Sequence, residues 1–299
     1  MAEAIMPRSK EHWLELRSTD ITSTDVSALT GHNPYKTKFQ VFKEKTTGAD
    51  FFVDSDFVRW GKRLEAPIGF GVAEDEGWSV AQMPEYMRHD SCQGAGSSFD
   101  FKILGNRPGL LEIKNVDYFA WRRNWTEALA PPHIEIQLQF QLEISGYEYG
   151  FICALVGGNT IQLYKRSRDR KTGAALIRLV NDFWSDVHKN IEPEPDFEKD
   201  GEFITQLYQN ASGDHADMKT HNRLAEVCAQ YEDARVREKA ATKDKKKLKG
   251  EIYSIIGDSP TVQARGFNIS AKSISKDAYQ VSAITYRNLR ITKQEDENV

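Results

Sequence analysis

Apolar and polar positions in this chain repeat with two periods, and the periods divide it into elements. Over residues 110–116 they alternate: Leu111 and Ile113 fall on one side, Glu112 and Lys114 on the other, as in a half-buried strand. Residues 78–83 and 98–103 also read as strands, with a turn over 90–96 between them. Gly105, Asn106, Pro108 and Gly109 form a turn that folds 98–103 back along 110–116 and brings Asp100 beside Glu112. Runs 151–156 and 160–165 read as a hairpin through Gly157, Gly158 and Asn159.

The helical period appears elsewhere. Over 56–76, Phe57, Trp60, Leu64 and Ile68 share a face, and Pro67 marks a kink or a new first turn. Pro131 and Pro132 open a helix over 133–145 that Gly146 closes. Its Ile134, Leu138 and Leu142 face the core, with Gln137 and Gln141 on a neighbouring stripe. Residues 174–190 are amphipathic, with Leu176, Leu179, Val180, Phe183, Trp184 and Val187 on one side. Near the start, 12–17 ends a short helix. Hydroxyl and acidic residues over 19–25 then cap a turn carrying Val26, Ala28 and Leu29, which Gly31 and Pro34 stop. Another short helix covers 39–45 and ends near Gly48.

Glu192, Pro193, Glu194, Pro195 and Asp196 form a stiff acidic break, which divides the chain into 1–196 and 197–299. Beyond it, 222–256 is helical and highly charged. Leu224, Val227, Cys228 and Tyr231 form one stripe there; Leu248, Ile252, Ile255 and Ile256 form another, with a lysine-rich stretch between. The stretch reads first as a solvated helix or coiled-coil turn, and second as a DNA contact. Short strands follow over 261–264, 267–273 and 278–291, then an acidic tail at 294–299. No internal repeat is present.

Composition narrows the class. The chain has 299 residues, 39% hydrophobic and 28% charged, as in an ordinary soluble globular protein. A net charge of −4 gives no global basic signature, though a local groove can still be basic. Cys92, Cys153 and Cys228 are too far apart for metal-ligand spacing or a disulfide framework, which suits a reducing cytosol. The first ten residues lack a signal-peptide core, and the longest apolar run, 151–156, is too short to span a bilayer. The expectation is therefore a cytoplasmic protein with no membrane role. No phosphate loop, nucleophile elbow or dinucleotide fingerprint occurs.

The chemistry gathers at Asp100, Glu112 and Lys114. Two carboxylates and an amine on one spot suit a hard divalent cation, with the lysine to hold or deprotonate a water. An acid-x-lysine pair on a strand is more often a solvated sheet face. Glu65 is either a surface acid or a helix carboxylate aimed at the same centre. A glutamine on the Gln137 and Gln141 stripe either satisfies backbone groups or orients a water near the metal. The hydroxyls over 19–25 cap a helix and, next to Arg17, make a phosphate pocket. Tyr118, Phe119, Trp121, Arg122, Arg123 and Trp125 read equally as a packed aromatic helix or as a DNA-contacting surface.

Taken in order, Arg17 with Thr24 and Asp25, Gly31 with Pro34 and Tyr35, Gly61 with Leu64 and Glu65, Asp100, Glu112-Ile113-Lys114, and Gln137-Leu138-Gln139 resemble the YqaJ-type viral recombinases. These are lambda-exonuclease-like members of the PD-(D/E)xK nuclease superfamily, and the resemblance covers about residues 10–196. It implies an α/β (α+β) fold with a restriction-endonuclease-like core, a central mixed sheet flanked by helices. It implies a Mg²⁺-dependent exonuclease on double-stranded DNA, working 5′ to 3′ and leaving 3′ tails for recombination by strand annealing. Asp100, Glu112 and the Ile113 carbonyl would hold Mg²⁺, or Mn²⁺ in its place, with Glu65 and Gln137 serving a second ion and the nucleophile. Lys114 would position the attacking water. Arg17 and Thr24 would bind a 5′-phosphate, with Arg122, Arg123 and Gln139 as further DNA contacts. The implied partners are duplex DNA ends, a single-strand annealing recombinase and further copies in a trimeric ring, in a phage or prophage setting. Phe99 replaces the usual proline before the first aspartate, and Thr24 stands where serine is commoner. A structure-specific or restriction-type endonuclease and a non-catalytic DNA-binding protein on the same fold are the competing classes.

Overall fold

The computed structural model describes residues 2–48, 55–211, 213, 215–276, 287, 289 and 291. The chain forms two compact units, Met1–Ile204 and Thr205–Val299. The first contains β1 (Glu3–Ile5), α1 (Lys10–Ser18), α2 (Val26–Leu29), α3 (Lys38–Thr47), α4 (Asp56–Asp75), β2 (Val80–Gln82), β3 (Tyr86–Arg88), β4 (Gly96–Ser97), β5 (Phe101–Ile103) and β6 (Gly109–Val116). It continues through α5 (Tyr118–Asn124), α6 (Pro132–Ser145), β7 (Tyr149–Val156), β8 (Thr160–Ser167) and α7 (Arg170–His188) into α8 (Phe197–Leu207), whose last three residues fall past Ile204.

The main sheet has the order β2-β5-β6-β7-β8. Strand β6 pairs antiparallel with β5 and parallel with β7, so the sheet is mixed and α5 and α6 form the crossover that parallel pairing demands. Helices cover both faces. On one face Leu110 joins Ile134, Leu138 and Leu142 of α6 and Leu176, Val180 and Phe183 of α7. On the other, Leu111 and Ile113 join Phe101, Ile103 and Ile68 and Val72 of α4. Each such burial contributes roughly 1.5–3 kcal/mol. A slip of β6 by one residue would reverse every face, so the core fixes Glu112 and Lys114 on the α6 side.

Helix α4 packs close enough that a Cβ on Gly69 would run into the Phe101 ring. It continues through Pro67 without a break. Its first turns depart from expectation: Phe57 and Trp60 are exposed, and packing against the sheet starts at Leu64. Trp60 instead carries Arg63 over its ring at 5.2 Å. A second, small sheet of order β1-β3-β4 escapes sequence reading because its strands are two or three residues long. The Ile21–Ala95 bridge ties the α1–α2 loop to that region.

The first unit runs past Asp196 to Ile204, beyond the boundary that the Glu-Pro run suggests. Side chains explain the difference. Asp200, fully buried, accepts bonds from Thr37 Oγ1 (2.7 Å) and Gln40 Nε2 (2.8 Å), and Phe203 meets Phe39 edge-on at 6.0 Å. The second unit holds α9 (Asn222–Ile256) and an antiparallel hairpin of β9 (Thr261–Ala264) and β10 (Phe267–Ser270). The expected strand over 278–291, isolated positions apart, and the tail at 294–299 lie outside the described residues. Among the described residues no helix is long and apolar enough to cross a membrane.

Candidate active site

Strand β6 supplies the centre of the site. Glu112 is buried and points to the α6 side with three donors on its carboxylate. Oε1 accepts from Lys114 Nζ (2.7 Å) and Gln137 Nε2 (2.5 Å), and Oε2 accepts from Gln141 Nε2 (2.7 Å). Lys114 Nζ also donates to Gln137 Oε1 at 3.1 Å. Asp100 lies just ahead of β5, and its Oδ2 accepts from the Ile113 backbone N–H at 2.7 Å. The turn between β5 and β6 therefore does fold Asp100 back onto the strand that carries Glu112.

The electrostatics follow from this crowding. Burial pushes the Asp100 carboxyl well above the usual carboxylate range, and the charges of Glu112 and Glu65 push it the same way. Lys114 and the Ile113 N–H pull it back. Burial also raises Glu65, and Glu112 adds to the rise, so Glu65 of α4 reaches the same centre from the opposite side of the chain's turn. Burial opposes the Lys114 ammonium, but Glu112 and Asp100 outweigh it and raise its pKa. The site is an acid cluster with one cation inside it.

Oxygen donors of this kind suit a hard divalent cation. Among the described residues no three His, Cys, Asp or Glu side chains are drawn together as a ready ligand set. The donors fit in a different combination. A carboxylate has about four lone-pair sites, so Glu112 retains capacity beyond its three bonds. A residue's N–H and C=O leave a strand on the same side, so the Ile113 carbonyl faces Asp100 past the last β5 pairing, Phe101 with Leu111. Beside them the buried Gln141 Oε1 has no partner. Mutual repulsion among Asp100, Glu112 and Glu65 is what a divalent cation would relieve.

A second cluster sits at the α1–α2 turn. Arg17 Nη2 approaches Thr24 Oγ1 at 3.4 Å, and its guanidinium lies over the Trp13 ring at 4.6 Å. Lys62 of α4 approaches the same ring at 6.0 Å. Beneath them Asp25 is buried and accepts from the Thr22 N–H (3.3 Å) and Oγ1 (2.8 Å), with Lys36 and Lys45 each at 3.4 Å. Burial works to raise Asp25, but Lys45, Lys36 and Arg17 hold it down at about 2. Lys45 Nζ in turn donates to the Arg17 carbonyl at 2.8 Å. Trp13 joins the two clusters: its Nε1 donates to Ser98 Oγ (2.8 Å), and the Ser98 carbonyl accepts from Gln141 Nε2 (3.2 Å).

The expected residues are thus partly gathered. Asp100, Glu112, Ile113, Lys114, Glu65 and Gln137 meet at one centre, and Arg17 and Thr24 meet at another linked to it. Arg122 and Arg123 are exposed on α5, directly after β6. No residue of that helix is buried, so the packed-aromatic reading fails for Tyr118 and Phe119. Trp121 alone on the helix packs against the core, with its Nε1 donating to Tyr164 Oη at 3.3 Å. Gln139, expected as a DNA contact, lies apart from both clusters. Its Nε2 donates to the Ser167 carbonyl and its Oε1 accepts from the Asp169 N–H, both at 2.9 Å. Both ends of the amide are spent on the β8–α7 connection, away from Glu112. Gln141, Trp13, Ser98 and Lys45 were missed as site residues. For Gln141 the signal existed, one helical turn from Gln137.

Comparison with known proteins bears on the fold. Residues 12–148 match the YqaJ-like viral recombinase domain. Over 181 residues the chain is 25% identical to the uncharacterized protein YqaJ of Bacillus subtilis (strain 168), covering 60% of this chain and 56% of that relative. The chain therefore spans little more than half the length of the relative it matches. Among solved structures, an alkaline exonuclease (LHK-Exo) from Laribacter hongkongensis superposes with a TM-score of 0.52 at 18% identity, over 66% of this chain and 100% of that one. The same exonuclease in complex with dAMP gives 0.52 at 17% identity, over 66% and 97%. At such identity the likeness is one of fold.

Proposed function

We propose that the YqaJ-like viral recombinase domain at residues 12–148 makes this chain a DNA exonuclease that needs Mg²⁺, enters at the ends of linear duplexes and resects 5′ to 3′. The 3′ tails left behind would serve recombination by strand annealing. The observation that carries the reading is the convergence of Asp100, Glu112 and Lys114 at β5 and β6.

Asp100, Glu112 and the Ile113 carbonyl would hold the cation, with Glu65 and Gln137 serving a second ion and the nucleophile. When bound, a divalent cation supplies charge neutralisation at the scissile phosphate and a nucleophile near neutral pH. The protein's own groups do the rest. Gln137 and Gln141 fix the Glu112 carboxylate from both of its oxygens. The Lys114 ammonium holds the attacking water and steadies the charge that grows on phosphorus-bound oxygen. Arg17 and Thr24 grip the 5′-phosphate, and the Trp13–Ser98–Gln141 link keeps that grip in register with Glu112. Arg122 and Arg123 lie along the backbone of the incoming duplex. A trimeric ring, an annealing partner and a place in the bacterial cytoplasm as a phage or prophage protein are proposed with the same reading.

The test is digestion of 5′-phosphorylated and 5′-hydroxyl linear duplexes beside a covalently closed circle, with and without Mg²⁺. Linear DNA should be degraded only with the metal, the 5′-phosphorylated form faster, and the circle left intact. Asp100→Ala and Lys114→Ala should each abolish digestion while DNA binding persists. Cutting of the circle would replace this reading with an endonuclease. Full activity in either variant would remove the assigned site.

A further inference from the structure

Helix α9 runs for 35 residues and buries none of them. Leu224, Val227 and Tyr231 towards one end and Leu248, Ile252 and Ile255 towards the other are exposed, as are Val236 and Tyr253 off their line. The six do not scatter. From Leu224 to Ile255, steps of three and four alternate without interruption, and the intervening steps land on Ala234, Glu238, Ala241 and Lys245. That is a 3.5-residue repeat, the spacing of a coiled-coil seam. Most helical stability in proteins comes from packing an apolar face, and among the described residues no position of this seam is buried.

Two features of the seam identify its partner. Parallel pairing with an identical helix would set each residue against itself, so Glu238 would face Glu238 and Lys245 would face Lys245 in the middle of the interface. Antiparallel pairing removes both conflicts. Leu224 then meets Ile255 of a second copy, Val227 meets Ile252, and Tyr231 meets Leu248, and two-fold symmetry repeats these pairs at the other end. In the centre each long charged side chain lies over a small one, Lys245 over Ala234 and Glu238 over Ala241. Glu238 then lies one layer from Lys245 of the second copy. Beside the seam, Arg237 comes opposite Asp244 of the second copy. Size and charge are both complementary in this one register, and the complement is the same sequence.

We propose that α9 is a self-association helix that pairs antiparallel with α9 of a second copy of this chain. The pairing joins copies two by two, in addition to any contact that the first unit makes.

The test is the mass of the full-length chain by light scattering at micromolar concentration. An even number of copies is expected, six where α9 pairs join copies of a trimeric ring, and Leu248→Glu should halve the mass. Arg237→Asp should weaken the association about tenfold or more by setting like charges across the seam at two symmetric places. Adding Asp244→Arg to it should restore the association. In a parallel pair these positions do not face each other, and the second change would restore nothing. An odd number of copies, an unchanged mass in Leu248→Glu, or no recovery in the swapped pair would each overturn the proposal. No changed position is buried, so the fold of the first unit is spared. The readout is mass, so the result is independent of the nuclease reading.

Discussion

Replacing Asp25 by asparagine tests whether the phosphate grip rests on a buried charge cluster. The side chain is 8% exposed, and its carboxylate balances Lys45, whose side chain is 7% exposed, and Lys36. With a pKa of about 2 in the folded chain against about 3.9 unfolded, ionised Asp25 contributes about 2–3 kcal/mol at neutral pH. That contribution is complete above about pH 4 and is lost as pH falls towards 2. Asparagine removes it at every pH and also leaves Lys45 without its counter-charge. Stripping one partner from a buried pair costs about 3–5 kcal/mol. Burial already lowers the Lys45 pKa, and Asp25 is the largest influence opposing that, so the amine can shed its proton and soften the loss. The expected cost in Asp25→Asn is therefore about 3 kcal/mol, between the two figures. Urea unfolding followed by tryptophan fluorescence, at pH 7 and again near pH 3, measures it. The gap between variant and wild type should narrow at the lower pH. The preference proposed for 5′-phosphorylated ends should be lost too, since Lys45, bonded to the Arg17 carbonyl, and Thr22, whose Oγ1 lies 2.9 Å from Thr24 Oγ1, are both released from Asp25. Stability within 0.5 kcal/mol of wild type at pH 7, a surface-like effect, would refute the reasoning.

Two further changes probe the site and its support. Gln141→Leu leaves Glu112 Oε2 without its donor; a hydrogen bond to a charged group is worth about 1.5–3 kcal/mol, so Mg²⁺-dependent digestion should slow about 10- to 150-fold with DNA affinity little changed, and an unaltered rate would show that Gln141 positions nothing. Gly69→Ala would gain about 1 kcal/mol in helix propensity, but its Cβ meets the Phe101 ring and overpacking a core costs about 1–3 kcal/mol; the thermal midpoint should fall, and a rise would mean that α4 can shift off the sheet freely.

What could be read from the sequence was local. The alternation over Leu111, Glu112, Ile113 and Lys114 dictated which way each side chain of β6 points, and turn residues over 105–109 placed Asp100 against that strand. Neither inference needed a distant partner. The buried cluster of Asp25, Lys36, Glu44 and Lys45 could not be found that way. Lysines and acids on two short segments look like a solvated face until tertiary packing closes over them. The exposed first turns of α4 show the converse. Phe57 and Trp60 keep helical spacing with Ile68, yet spacing says only that residues share a face, and not how far along it the sheet reaches.

Gln139 and Gln141 show where sequence reasoning held enough to decide and was steered elsewhere. A helix turns about 100° per residue, so Gln139 lies roughly 200° from Gln137 and the two cannot address one carboxylate. Gln141, one turn on, lies within about 40° of Gln137 and can. The structure follows that arithmetic: Gln137 and Gln141 take opposite oxygens of Glu112, while Gln139 closes the β8–α7 connection. A motif read as a string makes Gln137-Leu138-Gln139 look like one functional unit. Wound into α6, the same string divides into a glutamine on Glu112, a leucine for the core and a glutamine for the backbone, and the second glutamine on Glu112 comes from four residues along.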